Sequence, residues 1–290
     1  MVDRDEGVRV PRLGLALPDP RTGTAGSDPF ERLSSLAAAA EASAFDSVWV
    51  RDGPPPLGVV RPEPDRLFEP YSLLGALAVR TGRVGLAVLP DGPTARPPSI
   101  VAKLATTIDV ISHGRVALGL GAGGPEDPDA ADRLAEELRI CRALLVEETP
   151  TFVGVHHRIV DAPNRPRPVR PSGPALVVAA RRPEVLDPVA RYADALVVDG
   201  APNEVARLSR ALAERCESVG RPRDGLVLLW SGTLAPAGGG DAARWAEGIA
   251  ALAAAGAEGF VVGLAEGVGA DPGAVTRVGE VLAGTVPATG

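Results

Sequence analysis

The residues best suited to chemistry in this 290-residue sequence stand where strand-like runs end. Asp52 follows the run 45–50, and its carboxylate is able to accept a hydrogen bond from a ligand or to cap the next loop. The run 115–121 ends in glycines that let a ligand approach the backbone closely, although a tight turn without a ligand explains them equally well. Glu126, just beyond these glycines, is a candidate mobile acid. Asp52 and Glu126 are therefore the two candidate catalytic residues.

A pair of arginines offers a different chemistry. Arg181 and Arg182 lie between the apolar run 175–180 and a helical segment that begins at Pro183. Guanidinium groups beside a helix N-terminus make a site for a phosphate. Two solvated arginines without a ligand are the alternative, and the sequence leaves both open.

The three histidines of the chain are poorly placed for catalysis. His113 lies in a sequence typical of a helix C-terminus. His156 and His157 are adjacent in a predicted hairpin, where neighbouring side chains point to opposite faces. No spacing of carboxylates and histidines fits a metal site, and no Gly-x-Ser-x-Gly turn supports a Ser-His-Asp triad. We therefore predict no metal site.

Composition excludes several kinds of partner. The formal net charge is −7 and aromatic residues make up 3% of the chain, so it lacks the cationic excess and the stacking surface that nucleic acids require. The charged N-terminus has no apolar signal region, and the apolar runs are too short to cross a bilayer. Cys141 and Cys216 cannot build a disulfide framework and are expected to be reduced thiols of a cytoplasmic protein.

Eight short apolar runs alternate with eight helical segments along the chain. Continuous apolar strands are typical of a parallel sheet that is buried on both faces, and the strict alternation predicts an α/β fold, the (β/α)8 TIM barrel. An open doubly wound sheet is the alternative. We expect one domain over residues 1–290, with residues 148–174 as an inserted hairpin and link. In a barrel the loops after the strands carry the chemistry, and these also hold Arg51, Asp199 and Ser231.

Three segments of the chain resemble the bacterial luciferase-like family of flavin- or deazaflavin-dependent oxidoreductases. FEPYSLLGALAVRTGRVGLAV (68–88) leads into PPSIVAKLATTIDVISHGRVALGLGAGG (97–124), and weaker matches are ALVVAARRPEVLDPVARYADALVV (175–198) and AAAAEASAFDSVWVRD (37–52). The resemblance implies a luciferase-like barrel with a shortened insertion in its second half. It also implies a ring cofactor at the barrel mouth, either FMN (or reduced FMN) or the 8-hydroxy-5-deazaflavin coenzyme.

The same resemblance indicates where that cofactor would lie. It implies a bulge or a cis peptide bond beneath the ring near the end of the third strand, with the Leu89–Pro90 bond as the candidate, and phosphates near residues 181–182. Family members often pair, so a homodimer or a heteromeric partner subunit is expected. The cofactor-binding residues implied in this way are Val88, Leu89, Pro90, Gly121, Gly123, Arg181 and Arg182.

The sequence departs from the family pattern at three places. Many members have a His at the end of the second strand, where this chain has Asp52 and then a glycine. The acid that often follows the strand-four glycines is displaced to Glu126, and the glycine pair of the phosphate turn is replaced by Arg181 and Arg182. Two hypotheses therefore stand: a flavin- or deazaflavin-dependent oxidoreductase or monooxygenase acting on a small organic substrate, or a non-catalytic, cofactor-poor barrel that serves as a binding protein or partner subunit.

Overall fold

The computed structural model describes residues 10–18, 28–52, 68–90, 92, 96–123, 127–180, 182–234, 241–264 and 271–285. The strands in these ranges are β1 (Leu13–Ala16), β2 (Ser47–Asp52), β3 (Gly85–Pro90), β4 (Val116–Gly121), β5 (Phe152–Val153), β6 (Arg158–Ile159), β7 (Ala175–Ala179), β8 (Ala195–Val198), β9 (Val227–Leu234) and β10 (Gly259–Leu264). The helices are α1 (Pro29–Glu41), α2 (Pro70–Ala78), α3 (Pro98–Ile111), α4 (Ala130–Val146), α5 (Leu186–Tyr192), α6 (Pro202–Ser218), α7 (Asp241–Ala254) and α8 (Pro272–Ala283).

Eight of these strands close into a barrel in the order β1–β2–β3–β4–β7–β8–β9–β10, with β10 returning to β1. Every neighbouring pair is parallel, and a helical segment follows each of the eight barrel strands. The small hairpin of β5 and β6 is inserted between α4 and β7. The predicted (β/α)8 TIM barrel is confirmed, and the open doubly wound sheet is excluded. None of the described helices is both long and apolar enough to cross a bilayer.

The barrel interior is filled by small side chains around one large one, Trp49. Its indole Nε1 donates to Ser47 Oγ at 2.9 Å. A Cβ atom on Gly14 would lie 2.2 Å from Trp49 Nε1, so only glycine fits at that point of β1. The interior cluster comprises Ala16, Trp49, Ala87, Leu89, Ala117, Ala175, Val177, Ala195, Val197, Val227, Leu229 and Val261.

The N-terminal ends of the strands are held by ionisable side chains that bond to the backbone. Arg115 donates to three carbonyl oxygens of the α2–β3 connection, those of Ala78 at 2.9 Å, Thr81 at 3.0 Å and Val84 at 2.6 Å. Asp46 Oδ2 accepts the two N–H groups at the start of β1, at 2.7 and 3.0 Å. Arg115 and Asp46 therefore have structural roles at this end of the barrel.

Strands β5 and β6 form the hairpin that the sequence predicts within residues 148–174. Glu136 on α4 holds its turn, because the carboxylate accepts the N–H groups of Val155, His156 and His157 at 2.6, 2.9 and 2.8 Å. The guanidinium of Arg139 lies 4.7 Å from the ring centre of Phe152. The hairpin thus packs on α4, while the boundaries of the insertion and of the single domain stay predictions.

Candidate functional site

A cleft of about 870 Å3 lies at the C-terminal ends of the barrel strands. This volume falls within the range of small-molecule and cofactor sites, and this end of the barrel is where TIM-barrel proteins carry their chemistry. The residues that line it are Arg51, Leu89, Pro90, Gly92, Ala122, Gly123, Ala179, Ala180, Arg182, Val197, Val198, Asp199, Gly200, Trp230, Ser231, Gly232 and Thr233.

A cavity of similar volume, about 890 Å3, lies at the opposite end of the barrel. Its rim includes Asp46, Arg115 and Asp194, which are engaged in holding the backbone. Because these side chains are occupied by structural bonds and the N-terminal face of such barrels serves stability, we place the candidate site in the C-terminal cleft.

Small residues form the floor of the cleft at the ends of β3, β4 and β7. Close packing of β3 on β4 requires the glycines there, because a Cβ on Gly119 would lie 2.2 Å from Val88 O and one on Gly121 would lie 1.7 Å from Gly92 O. Gly123 has a φ of 78°, a conformation that favours glycine, and it lines the cleft. Part of the glycine-rich signal is therefore structural, and Gly123 alone of these three glycines faces the cleft.

Strand β3 runs straight through the position where the resemblance implied a cis bond. Within the described residues the cis peptide bond is Arg165–Pro166, so the expectation of a cis Leu89–Pro90 bond is wrong. Pro90 continues the strand in register with Asp52, and Leu89 pairs with Arg51. Leu89 and Pro90 line the cleft, whereas Val88 is buried outside the barrel interior and contributes its carbonyl to the β4 contact.

Asp52 points away from the cleft. Side chains alternate along β2, so that Trp49 and Arg51 face the barrel and Asp52 faces outward. Asp52 Oδ2 lies 2.7 Å from Arg96 Nη1, and the second nitrogen of that guanidinium lies 2.8 Å from Glu69 Oε1. Burial raises the pKa of Asp52, and the nearby Arg96 opposes this rise. The structure thus places Asp52 in an ion-pair network, and its catalytic role stays a prediction.

Arg182 lines the cleft immediately before the 3-10 turn Pro183–Val185, which leads into α5. It lies at the rim of β7, and its role as a phosphate ligand stays a prediction. Arg181 and Glu126, the other charged candidates, lie outside the described residues. Of the predicted site residues, the structure therefore brings together Leu89, Pro90, Gly123 and Arg182.

One wall of the cleft was missed by sequence reasoning. Trp230 on β9 donates its indole N–H to Gly200 O at 3.0 Å, and its ring lies so close to Gly232 that a Cβ there would be 2.2 Å away. Thr233 continues this wall toward solvent. Gly232, two residues after Trp230, was the sequence signal for this wall. A tryptophan in an apolar strand is, however, usually interpreted as part of the core.

The closed barrel and its cleft at the strand ends place the molecule among the TIM-barrel proteins whose ligand site is built from the loops after the strands. The chain belongs to the luciferase-like monooxygenase family, whose model matches residues 12–272. Among the residues that the structure describes, no three His, Cys, Asp or Glu side chains gather into a group able to hold a metal ion.

Relatives of known identity agree with this family. The chain is 32% identical over 178 residues to a phthiodiolone/phenolphthiodiolone dimycocerosates ketoreductase from Mycobacterium sp. (strain JLS). This match covers 55% of this chain and 46% of that protein. The chain spans about half the length of such curated relatives.

Two solved structures show the same fold. One is the coenzyme F420 dependent tetrahydromethanopterin reductase from Methanopyrus kandleri, with a TM-score of 0.74, 18% identity, and coverage of 95% of this chain and 99% of that one. Another is the oxygenating constituent of 3,6-diketocamphane monooxygenase from Pseudomonas putida in complex with FMN, with a TM-score of 0.71, 15% identity, and coverage of 96% and 98%.

Proposed function

We propose that this protein is an oxidoreductase that binds a flavin-type cofactor, FMN or the deazaflavin F420, at the barrel mouth and acts on a small organic substrate. The observation that carries the proposal is the cleft itself, which combines a floor of small apolar residues with an arginine at one edge. The named relatives, a ketoreductase, an F420 dependent reductase and an FMN-containing monooxygenase, support the same chemistry.

The residues of the cleft fit such a cofactor. A flat ring needs a surface without bulky side chains, which Leu89, Ala122, Gly123 and Ala179 supply. A phosphate needs donors, and Arg182 stands at the edge of the same cleft beside the turn that leads into α5. We therefore assign these residues to the cofactor, with Arg181 as a further candidate donor.

When bound, the cofactor would supply the hydride or oxygen chemistry, and the protein would position it against the substrate. Arg51, Asp199 and Ser231 line the cleft, and we assign to them the orientation of a substrate there. Trp230 forms an aromatic wall that excludes water from one side. Asp52 and Glu126 remain candidate proton-handling residues.

Cofactor titration tests this proposal. The protein is titrated separately with FMN, with reduced FMN under anaerobic conditions and with F420, while ring fluorescence or absorbance is followed. We expect micromolar binding of at least one, weakened in Arg182→Ala by a factor of ten to a hundred, which is about 1–3 kcal/mol for a charge-assisted contact. Arg277→Ala, which removes a 69%-exposed arginine of α8, is the matched control and should bind normally.

The failure of all three cofactors to bind at high micromolar concentration would favour the second hypothesis, a binding protein or partner subunit. One observation supports that alternative: no histidine lines the described part of the cleft, and Asp52 is held by Arg96 outside it. Normal binding by Arg182→Ala would instead place the phosphate elsewhere.

A cytoplasmic location and pairing with a second subunit also belong to this proposal. The two buried cysteines, Cys141 and Cys216, are not joined in a disulfide, which agrees with a reducing compartment.

A further inference from the structure

The connection between β3 and α3 contributes to the floor of the cleft. Leu89 and Pro90 end β3, and Gly92, two residues further along, also lines the cleft. Gly92 has a φ of 145°, which residues with a side chain rarely adopt, and a Cβ on Gly121 would lie 1.7 Å from its carbonyl oxygen. Gly92 therefore packs directly on the end of β4, and its position determines the shape of the floor.

The helix that follows this connection begins without a side-chain cap. The N-cap residue of α3 is Pro97, whose side chain has no atom that accepts a hydrogen bond from the first turn. Helices α1, α2 and α8, in contrast, begin at Asp28, Glu69 and Asp271, whose carboxylates accept backbone N–H groups. Other contacts are therefore needed to hold the start of α3.

Arg96, the residue before Pro97, makes such contacts. Its Nη1 lies 2.7 Å from Asp52 Oδ2, and its Nη2 lies 2.8 Å from Glu69 Oε1. The guanidinium also lies 5.3 Å from the ring centre of Tyr71. We call these four residues, Arg96, Asp52, Glu69 and Tyr71, the Arg96 cluster. A guanidinium suits this position because it combines a fork of donors with a flat face that stacks on aromatic rings.

Both ends of the connection meet at Asp52. Pro90 lies opposite Asp52 in the register of β3 with β2, and Arg96 forms its ion pair with the carboxylate of the same residue. Glu69 adds a link to the first turn of α2. Because β2 and α2 are fixed parts of the barrel, these bonds fix Arg96 at one end and Pro90 at the other, which restricts the positions open to Gly92.

Tyr71 contributes its ring to the Arg96 cluster rather than its hydroxyl group. The residue is only 3% exposed, and its hydroxyl oxygen is buried without a hydrogen-bond partner among the described residues. The ring face attracts the guanidinium of Arg96 electrostatically. Loss of the hydroxyl should therefore leave the cluster intact, whereas loss of the ring should weaken it.

We propose that Arg96 is a positioning residue, which fixes the cleft floor of Leu89, Pro90 and Gly92 on which the ring of a flavin-type cofactor would lie. Arg96 does not itself line the described part of the cleft, so it acts through the β3–α3 connection. The identity of the ligand rests on the proposed function, whereas the effect of Arg96 on Gly92 requires no ligand.

NMR relaxation of the Gly92 amide tests the proposal in protein without cofactor. A backbone order parameter of about 0.85 marks a rigid amide, and one below about 0.6 marks a flexible amide. We expect a rigid Gly92 in the wild type and a flexible one in Arg96→Gln, which cannot pair with both carboxylates. Arg96→Lys, which keeps the charge without the fork, should give an intermediate value. In the cofactor titration, Arg96→Gln should bind about tenfold more weakly than the wild type.

Two controls separate positioning from a general loss of stability. Arg142→Gln removes a half-buried arginine whose Nη2 lies 2.5 Å from Asp194 Oδ2 at the opposite end of the barrel. It should lose about as much stability as Arg96→Gln, with Gly92 rigid and cofactor affinity unchanged. Tyr71→Phe should also leave Gly92 rigid, whereas Tyr71→Leu should increase its motion.

The possible results distinguish this proposal from the proposed function. A rigid Gly92 in Arg96→Gln would overturn the positioning role, and so would wild-type cofactor affinity in that variant or an equal loss of affinity in Arg142→Gln. If the wild type bound none of the three cofactors, the proposed function would fail. A flexible Gly92 in Arg96→Gln would then still show that Arg96 fixes the cleft floor.

Discussion

The two ends of the barrel are built differently. At the N-terminal end, ionisable side chains bond to backbone groups: Arg115 to three carbonyls, Asp46 to two N–H groups at the start of β1, and Asp194 to the N–H of Leu176 at 2.7 Å. At the C-terminal end, small residues leave a cleft, and the ion-pair network of Asp52 lies outside it. The two ends therefore hold cavities of similar volume, but the charged side chains at the N-terminal one are engaged with the backbone, whereas the C-terminal one has a floor of small residues.

This difference separates residues that maintain the fold from residues that meet a ligand. A half-buried cation with several carbonyl partners contributes to stability because its removal leaves those partners unsatisfied. A floor of alanine, glycine and proline contributes little bonding of its own and presents a flat surface. Substitutions at the N-terminal end should therefore change the free energy of unfolding, and substitutions in the cleft should change ligand affinity.

The largest effect is expected at the N-terminal end. Arg115→Ala should lower the free energy of unfolding by about 4 kcal/mol, because three carbonyl groups lose a charged donor at once. Chemical denaturation measures it. Arg277→Ala, whose exposed side chain bonds to no carbonyl of the barrel ends, should change stability by less than about 0.5 kcal/mol.

Either of two results would contradict the separation between residues that maintain the fold and residues that meet a ligand. A loss of under about 1 kcal/mol in Arg115→Ala would show that the carbonyls are satisfied without the arginine. A weakening of cofactor binding in folded Arg115→Ala as large as that in Arg182→Ala would show that the two ends are coupled.

A smaller effect is expected beside the cleft and depends on pH. Burial raises the pKa of Glu137 from 4.5 to about 7, so the folded chain binds this proton more tightly than the unfolded chain does. Stability is therefore unaffected by this group below pH 4.5, falls as the pH rises toward 7, and stays lower above it by about 3 kcal/mol. Glu137→Gln should accordingly be more stable than the wild type at pH 8 and equal to it near pH 4.

Denaturation of the two proteins across this pH range is the measurement. Glu148→Gln is the control, because it makes the same substitution at a side chain that is 68% exposed. A constant difference between Glu137→Gln and wild type would mean that the Glu137 carboxyl group is solvated or hydrogen-bonded in solution.

The order of strands and helices was the part of the molecule that the sequence predicted well. Helix α3 ends at Ile111, and His113 just beyond it has a φ of 58°, which fits the helix C-terminus that the sequence predicted there. These features are local, because apolar periodicity and terminating residues are read within one segment. Arg115 does not follow this rule, because its carbonyl partners lie in the α2–β3 connection, 31 to 37 residues earlier in the sequence.

The orientation of side chains at the mouth was harder to predict. In the run Ser47–Asp52 nearly every residue is apolar or buried, so no alternation shows which residues face the barrel and which face the helices. The folded barrel places Arg51 in the cleft and Asp52 outside it, against Arg96. The partner of Asp52 is Arg96, 44 residues away in sequence, a separation at which no sequence pattern identifies contacts.

The smallest effect is expected at Asp52. Its ion pair with Arg96 is half-buried, with side-chain exposures of 20% and 24%, so Asp52→Asn should cost about 1 kcal/mol of stability. Cofactor affinity should change by less than about twofold, because the side chain faces away from the cleft. Arg96→Gln combined with Asp52→Asn should cost less than the sum of the two single changes, since both remove the same pair.

The Asp52→Asn variant therefore tests whether Asp52 takes part in the reaction or maintains the fold. If turnover by Asp52→Asn falls a hundredfold or more while stability and cofactor affinity stay near the wild-type values, Asp52 handles a proton, as its place at the end of β2 first suggested. If turnover follows the small loss of stability, Asp52 belongs with Arg115 among the residues that hold the fold. Arg51, its neighbour in the cleft, then becomes the charged group of β2 that meets the ligand.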